Sequence, residues 1–226
     1  MITSSGLTVY TRKPENLKDL YNEEDWSDIE VCGAYEKSKI MAETAAWDFV
    51  NSLPEEERFE LTVIIPTLIL GPPLVDGDFT SGFHLKNMLL GLWPAVPKVM
   101  MGVVDVRNVA HAHLQGIKVP EARNNRIILC NRTFFFKDLC QIFIDHFGQG
   151  TYPVKLEEMA ESPPDNKRFK LIWEKKFNIS HAKSEKLLGI EYLDIKETLI
   201  DMAEKMIEDG LIPDNRKKEE ILDKRR

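Results

Sequence analysis

Cysteine is scarce: three residues in 226, and Cys32, Cys130 and Cys140 are odd in number and far apart. They match neither a disulfide framework nor paired zinc ligands, which excludes a disulfide-held secreted scaffold and a zinc module. Free thiols in a reducing, cytoplasmic compartment are the expectation. Long apolar runs are missing too. The strongest, from Leu61 to Val75, is broken by Pro66, Gly71, Pro72 and Pro73, so no membrane span is predicted. Met1 is followed by neither a basic region nor an apolar stretch ending in small residues, and no signal peptide is read there. Positive charge is in deficit, with 30 Lys and Arg against 37 Asp and Glu and a net charge of -7. No basic stripe carries interleaved aromatics, which argues against nucleic acid as a partner. The tail from Arg216 to Arg226 mixes both signs and reads as a solvated end.

What is present alternates between strand and helix patterns, without internal repeats. Leu61-Thr62-Val63-Ile64-Ile65 is apolar and β-branched up to Pro66, as suits a buried parallel strand. Val103 to Val106 and Arg126 to Cys130 read as further strands. A helix is predicted from about Ala34 to Leu53 on the spacing of Ala42, Ala46, Phe49, Val50 and Leu53, with Pro54 as its stop. Asn108 is the expected cap of a helix starting at Val109. Phe135 to Phe147 carries Leu139, Ile142, Phe143 and Phe147 on one helical face, and a last helix runs from Ile195 to Asp209 before Gly210. Thr11 to Val31 is polar and acidic and reads as a long loop with a short helical turn. Phe79, Phe83 and Trp93 lie in a glycine-containing stretch expected to cover a substrate.

Tyr35 and Lys39 are the residues with the most chemistry in them. At i, i+4 on a helix they share a face, which sets an ammonium beside a phenol; a neighbouring positive charge favours the ionised phenol, and the pair can act as an acid/base. The Tyr/Lys helix lies between two core strands, one ending at Ser4-Ser5-Gly6 and the other at Pro66-Thr67. In open α/β sheets ligands bind beyond the carboxyl ends of the strands, so Ser4, Ser5, Tyr35, Lys39, Pro66 and Thr67 are expected to converge. Other chemistries fit less well. His111 and His113 at i, i+2 point to different helix faces and lack a third metal ligand nearby. No Gly-x-Ser-x-Gly elbow supports a serine hydrolase, and Glu55-Glu56-Glu57 after Pro54 reads as a solvated charge run.

In order and spacing, Thr3-Ser4-Ser5, Glu24-Asp25-Trp26-Ser27-Asp28, Tyr35-x-x-Ser38-Lys39 with Ala42-Glu43, Ile65-Pro66-Thr67 with Gly71-Pro72, and Val104-Asp105-Val106-Arg107-Asn108-Val109-Ala110 resemble the extended short-chain dehydrogenases/reductases, within the NAD-dependent epimerase/dehydratase superfamily, and in particular their dihydroflavonol-reductase-like branch. The resemblance continues to Leu187-Leu188-Gly189. It implies an α/β fold with a partial Rossmann-like parallel sheet and a smaller mixed α/β substrate region. Residues 1–73 and 103–131 would belong to the NAD(P)-binding part, and residues 74–102 and 132–226 to the substrate-binding part. It also implies reduction of a small-molecule carbonyl, or oxidation of the alcohol, by hydride transfer. Tyr35 would be the proton donor, Lys39 would tune the phenol and hold the nicotinamide ribose, and Ser5, with Ser4 the alternative, would hold the carbonyl oxygen. Pro66 and Thr67 would lie against the nicotinamide. NADP is the cofactor implied by the branch, with NAD the alternative.

Family members open with a strand, a Gly-x-x-Gly-x-x-Gly turn and a helix, and this sequence contains no such turn. Gly148-Gln149-Gly150 precedes Thr151-Tyr152-Pro153, so it reads as a plain loop rather than a phosphate cradle. Only Met1, Ile2 and Thr3 precede the serines, and the expectation is that the sequence enters mid-strand, Met1 being an internal methionine of a longer protein. The competing reading is a non-catalytic isoform that keeps the catalytic side chains and serves as a partner-binding module.

Overall fold

The apolar run from Leu61 to Leu70 forms two strands, the first of them ending at Pro66 as expected. In the computed structural model, which describes residues 1–75, 77 and 79–216, β3 (Val63–Pro66) lies between β1 (Ile2–Thr3) and β6 (Arg126–Leu129) in an all-parallel sheet. Val63 pairs with Ile2 and Arg126, and Ile64 with Thr3 and Ile127. Because successive strand side chains point to opposite faces, Val63 and Ile65 enter one apolar core with Val50, while Ile64 joins Val109, Ala112, Ile127 and Leu129 in a second. Both faces are thus covered, which is why the strand is apolar throughout rather than alternating.

At Thr67 the chain turns. Its backbone N–H and its hydroxyl both donate to the Leu129 carbonyl, each at 3.0 Å, and the next residues form β4 (Leu68–Leu70) in a different, mixed sheet. There β5 (Met100–Asp105) pairs parallel to β4 and antiparallel to β7 (Arg132–Phe135). The crossing is tight: a Cβ on Gly102 would lie 2.8 Å from Thr67 Cγ2 and 2.9 Å from Cys130 Sγ, so no larger residue fits without displacement. A small third sheet pairs β2 (Leu20–Tyr21) with β8 (Asn178–Ile179), and β2 lies inside the segment expected to be a loop; where one short helical turn was expected there are two, Pro14–Asn16 and Ile29–Val31.

The helices are α1 (Ala34–Ser52), α2 (Thr80–Leu89), α3 (Val106–Lys118), α4 (Phe136–Phe147), α5 (Lys167–Ile172), α6 (Ala182–Leu188) and α7 (Ile195–Glu208). α3 starts earlier than expected. Asp105, not Asn108, is its cap, accepting from the Arg107 N–H at 2.7 Å. Burial opposes the charge on Asp105, but hydrogen bonds from Arg107 and Thr198 outweigh it and hold the carboxyl below its usual range. Asn108 instead ties α3 to the segment ahead of α7, donating to Glu191 O at 2.8 Å and accepting from Leu193 N at 3.0 Å.

The inward face of α1 also differs from the expected stripe. Ala42 and Phe49 are exposed, and the buried positions are Glu36, Ile40, Glu43 and Val50. Two carboxylates sit where apolar residues were expected, because each has a partner: Glu43 receives Arg126 Nε at 2.5 Å, and Glu36 receives Arg168 Nη1 at 3.4 Å. Cys32, Cys130 and Cys140 are buried free thiols. No helix among the described residues is long and apolar enough to cross a membrane. Arg216 pairs with Glu204 and Asp214; the rest of the mixed-sign tail, Lys217 to Arg226, lies outside the described residues.

Candidate active site

Ser5 stands two residues beyond β1, still in extended backbone, and there the chain turns into a short 3-10 helix, Gly6–Thr8, which Ser5 caps by accepting from Leu7 N at 3.3 Å. Ser4, one residue earlier, points the other way: its hydroxyl donates to the buried Glu43 carboxylate. The alternation of a strand therefore separates the two hydroxyls, and Ser5 is the one that lines a cavity of about 460 Å³ at the carboxyl ends of β1 and β3. Tyr35 and Thr67 line the same cavity.

Tyr35 stands in the first turn of α1, half-exposed, and Lys39 follows one turn later with Nζ 6.0 Å from the Tyr35 ring centroid. Neither the Tyr35 hydroxyl nor the Lys39 ammonium has a hydrogen-bond partner among the described residues, so both are available to a ligand. Pro66 is the last residue of β3 and does not line the cavity, whereas Thr67 does. Of the six residues expected to converge, then, Ser5, Tyr35 and Thr67 share one cavity, Lys39 flanks it, Pro66 supports it from the strand, and Ser4 is turned away.

A second phenol, Tyr10, also reaches the cavity. It is buried, packed on Phe177 at 5.2 Å between centroids, and burial pushes its pKa up to about 12. Desolvation outweighs the opposing positive charge of Arg168, and a phenol held that high is a poor proton carrier. The expected covering segment does contribute, but through Thr80, Ser81 and His84 of α2 rather than its aromatics: Phe83 is exposed, and Trp93 packs on Phe136 at 5.1 Å. Glu36, His84 and Arg168 complete the wall and went unnoticed in the sequence, since no spacing links residues so far apart. His113, weighed above as a metal ligand, meets Thr3 Oγ1 at 2.7 Å and the Val109 carbonyl at 2.8 Å.

No family model matches the chain. The NADPH-dependent methylglyoxal reductase GRE2 of Saccharomyces cerevisiae is 31% identical to it over 223 residues, an alignment covering 92% of this chain and 63% of that protein. Cinnamoyl-CoA reductase 2 of Arabidopsis thaliana is 28% identical over 217 residues, covering 94% of this chain and 60% of the relative. The chain thus spans a little under two thirds of the length of these relatives. Among solved structures, yeast methylglyoxal/isovaleraldehyde reductase Gre2 complexed with NADPH superposes with a TM-score of 0.69 at 28% identity, covering 93% of this chain and 64% of that one. Vestitone reductase from alfalfa (Medicago sativa) gives a TM-score of 0.72 at 19% identity, a likeness of fold, covering 93% of this chain and 64% of that one.

Proposed function

The chain belongs to the extended short-chain dehydrogenases/reductases, of the NAD-dependent epimerase/dehydratase superfamily, and from that premise we propose that it carries the proton-donating site of an NADPH-dependent carbonyl reductase. The observation that carries the reading is the placement of Ser5 and Tyr35 on one small cavity with Lys39 a helical turn behind. Relatives named as NADPH-dependent methylglyoxal reductase and as cinnamoyl-CoA reductase, both reducing carbonyl compounds, support it. In this reading residues 1–73 and 103–131 form the cofactor side and residues 74–102 and 132–226 the substrate side.

The residues present fit the nicotinamide and ribose end of NADPH: the Lys39 ammonium, one helical turn from Tyr35, would hold the ribose hydroxyls, and Thr67, at the end of the strand that Pro66 closes, would lie against the nicotinamide. Contacts to the pyrophosphate need a glycine-rich turn that this sequence does not contain. When bound, NADPH supplies the hydride that attacks the carbonyl carbon. The carbonyl oxygen then gathers negative charge, which the Ser5 hydroxyl stabilises by donating a hydrogen bond. The Tyr35 hydroxyl gives that oxygen its proton, so one hydride and one proton convert carbonyl to alcohol. The Lys39 ammonium stabilises the phenolate that remains.

The test is a chimera in which the amino-terminal segment of the yeast methylglyoxal reductase is joined ahead of Ile2, assayed by the loss of NADPH absorbance. Turnover of a small aldehyde or ketone is expected. Tyr35→Phe should lower kcat by about 10²–10⁴, the usual worth of general acid catalysis, while NADPH affinity stays within a few-fold. Lys39→Ala should damage both. A Tyr35→Phe chimera within a few-fold of its parent, with hydride transfer limiting the rate, would remove the assignment.

A further inference from the structure

The apolar residues that the inward face of α1 lacks are on its outward face. At about 3.6 residues per turn, Ala34, Ser38, Met41, Ala45, Phe49 and Ser52 fall in one stripe opposite Glu36, Ile40 and Glu43, and all six are exposed. None is charged. The bulky members are Met41, 61% exposed, and Phe49, 57% exposed; Phe49 continues onto Phe59, 51% exposed, with ring centroids 6.3 Å apart. Single exposed apolar residues are ordinary, whereas a contiguous uncharged face along a helix of 19 residues marks a surface that meets another protein.

The order of residues within the stripe identifies that protein. Ala34 and Ser52 stand equally far from Glu43 along the helix, Met41 and Ala45 do the same, and Ser38 and Phe49 depart from this symmetry by one residue. A second α1 lying antiparallel across the face therefore sets each bulky side chain against a small one, Met41 against Ala45 and Phe49 against Ser38, and ridges of one helix enter grooves of the other. Charge complementarity selects the same partner and direction. Lys37 and Asp48 lie along one margin of the stripe, near opposite ends of the helix, both exposed and neither with an ion-pair partner among the described residues. An antiparallel copy brings Lys37 of each helix to Asp48 of the other, and a parallel copy does not. Tyr35 and Lys39 lie along the opposite margin, by the cavity.

We propose that this face of α1 is an isologous interface at which a second copy of the chain docks, the two helices antiparallel about a twofold axis beside Met41 and Ala45. In such an interface one patch serves both subunits, so every contact is made twice.

The experiment is sedimentation velocity on the full 226-residue chain over a dilution series, in which a concentration-dependent dimer is expected. Ala45→Glu sets a carboxylate at the centre of the stripe on both copies and should weaken the dimer by about a hundredfold, since like charges juxtaposed in an interface strongly oppose it. Lys37→Asp alone and Asp48→Lys alone each make both cross-pairs repulsive and should weaken it by about tenfold, the scale of two exposed pairs reversed. The double variant Lys37→Asp/Asp48→Lys restores opposite charges across the twofold and should return to within about threefold of the parent. All three positions are exposed, and recovery in the double variant is the control for folding. A parent chain that stays monomeric throughout the series, a dimer or larger assembly indifferent to Ala45→Glu, or a double variant as weak as its singles would overturn the proposal.

Discussion

Replacing Arg126 by leucine removes the cation that fastens α1 to the parallel sheet, and the cost can be worked from its contacts. The Arg126 side chain is 11% exposed and Glu43 is fully buried; Nε reaches Glu43 Oε1 at 2.5 Å. Nη1 donates to the Glu23 and Asp25 carbonyls, at 2.5 and 2.9 Å, and the guanidinium lies 3.8 Å over the Trp26 ring. Breaking a buried pair from one side leaves an uncompensated charge and costs about 3–5 kcal/mol. Ser4 and Thr8 still donate to Glu43 and soften this, so a loss of about 3–4 kcal/mol is expected. For a urea m-value of about 2–3 kcal/mol/M, the midpoint should fall by about 1.5 M, read from tryptophan fluorescence. Glu43→Gln keeps an acceptor for Nε and should cost less. The double variant should be less destabilised than the sum of the singles by about 1–3 kcal/mol, the coupling expected of groups in direct contact. Additivity within about 0.5 kcal/mol would refute the claim that the pair acts as a unit. Glu43 lies one turn beyond Lys39, so the same clamp fixes the helix that presents Tyr35 and Lys39 to the cavity.

The two serines should separate cleanly. In the chimera, Ser5→Ala should lower kcat by about 10²–10³, as for the loss of one donor to a developing oxyanion, whereas Ser4→Ala should leave kcat within a few-fold and lower stability by about 1–3 kcal/mol because Glu43 loses a donor; reversed effects would exchange their roles. Asp105→Asn should cost about 1–3 kcal/mol at neutral pH, in urea melts, through weakened bonds to Arg107 and Thr198. The native Asp105 pKa is lowered, so its stabilisation is present above the unfolded carboxyl pKa of about 4 and lost as the pH falls through the native value. The gap between parent and variant should therefore close in acid, and a gap unchanged down to pH about 2 would contradict the linkage. The 226-residue chain by itself should bind NADPH more weakly than the low micromolar range in titration calorimetry, since it has no glycine-rich turn for the pyrophosphate, and tight binding would point to a different phosphate site.

What the sequence made legible is what periodicity and short motifs encode. β3 was readable because a strand buried on both faces is apolar without interruption, and α4 because Leu139 and Phe143 really do point inward. The Tyr35/Lys39 pair was readable because four residues on a helix fix a neighbour whatever the tertiary fold. The face of α1 was not. An apolar stripe through Ala42 and Phe49 was expected, and the helix instead buries Glu36 and Glu43, whose partners Arg168 and Arg126 lie 132 and 83 residues further along. Hydrophobic pattern counts a carboxylate as outward because an unpaired one would be; pairing reverses that sign, and pairing is a property of the fold. The same holds for the choice between Ser4 and Ser5, which only the direction of β1 relative to Glu43 decides, and for His84 and Arg168, which share no spacing with anything catalytic. The two inward carboxylates also explain each other's positions. One anchors the middle of α1 to the sheet through Arg126, the other joins its first turn to α5 through Arg168, and Tyr35 and Lys39 lie on the helix that both of them hold.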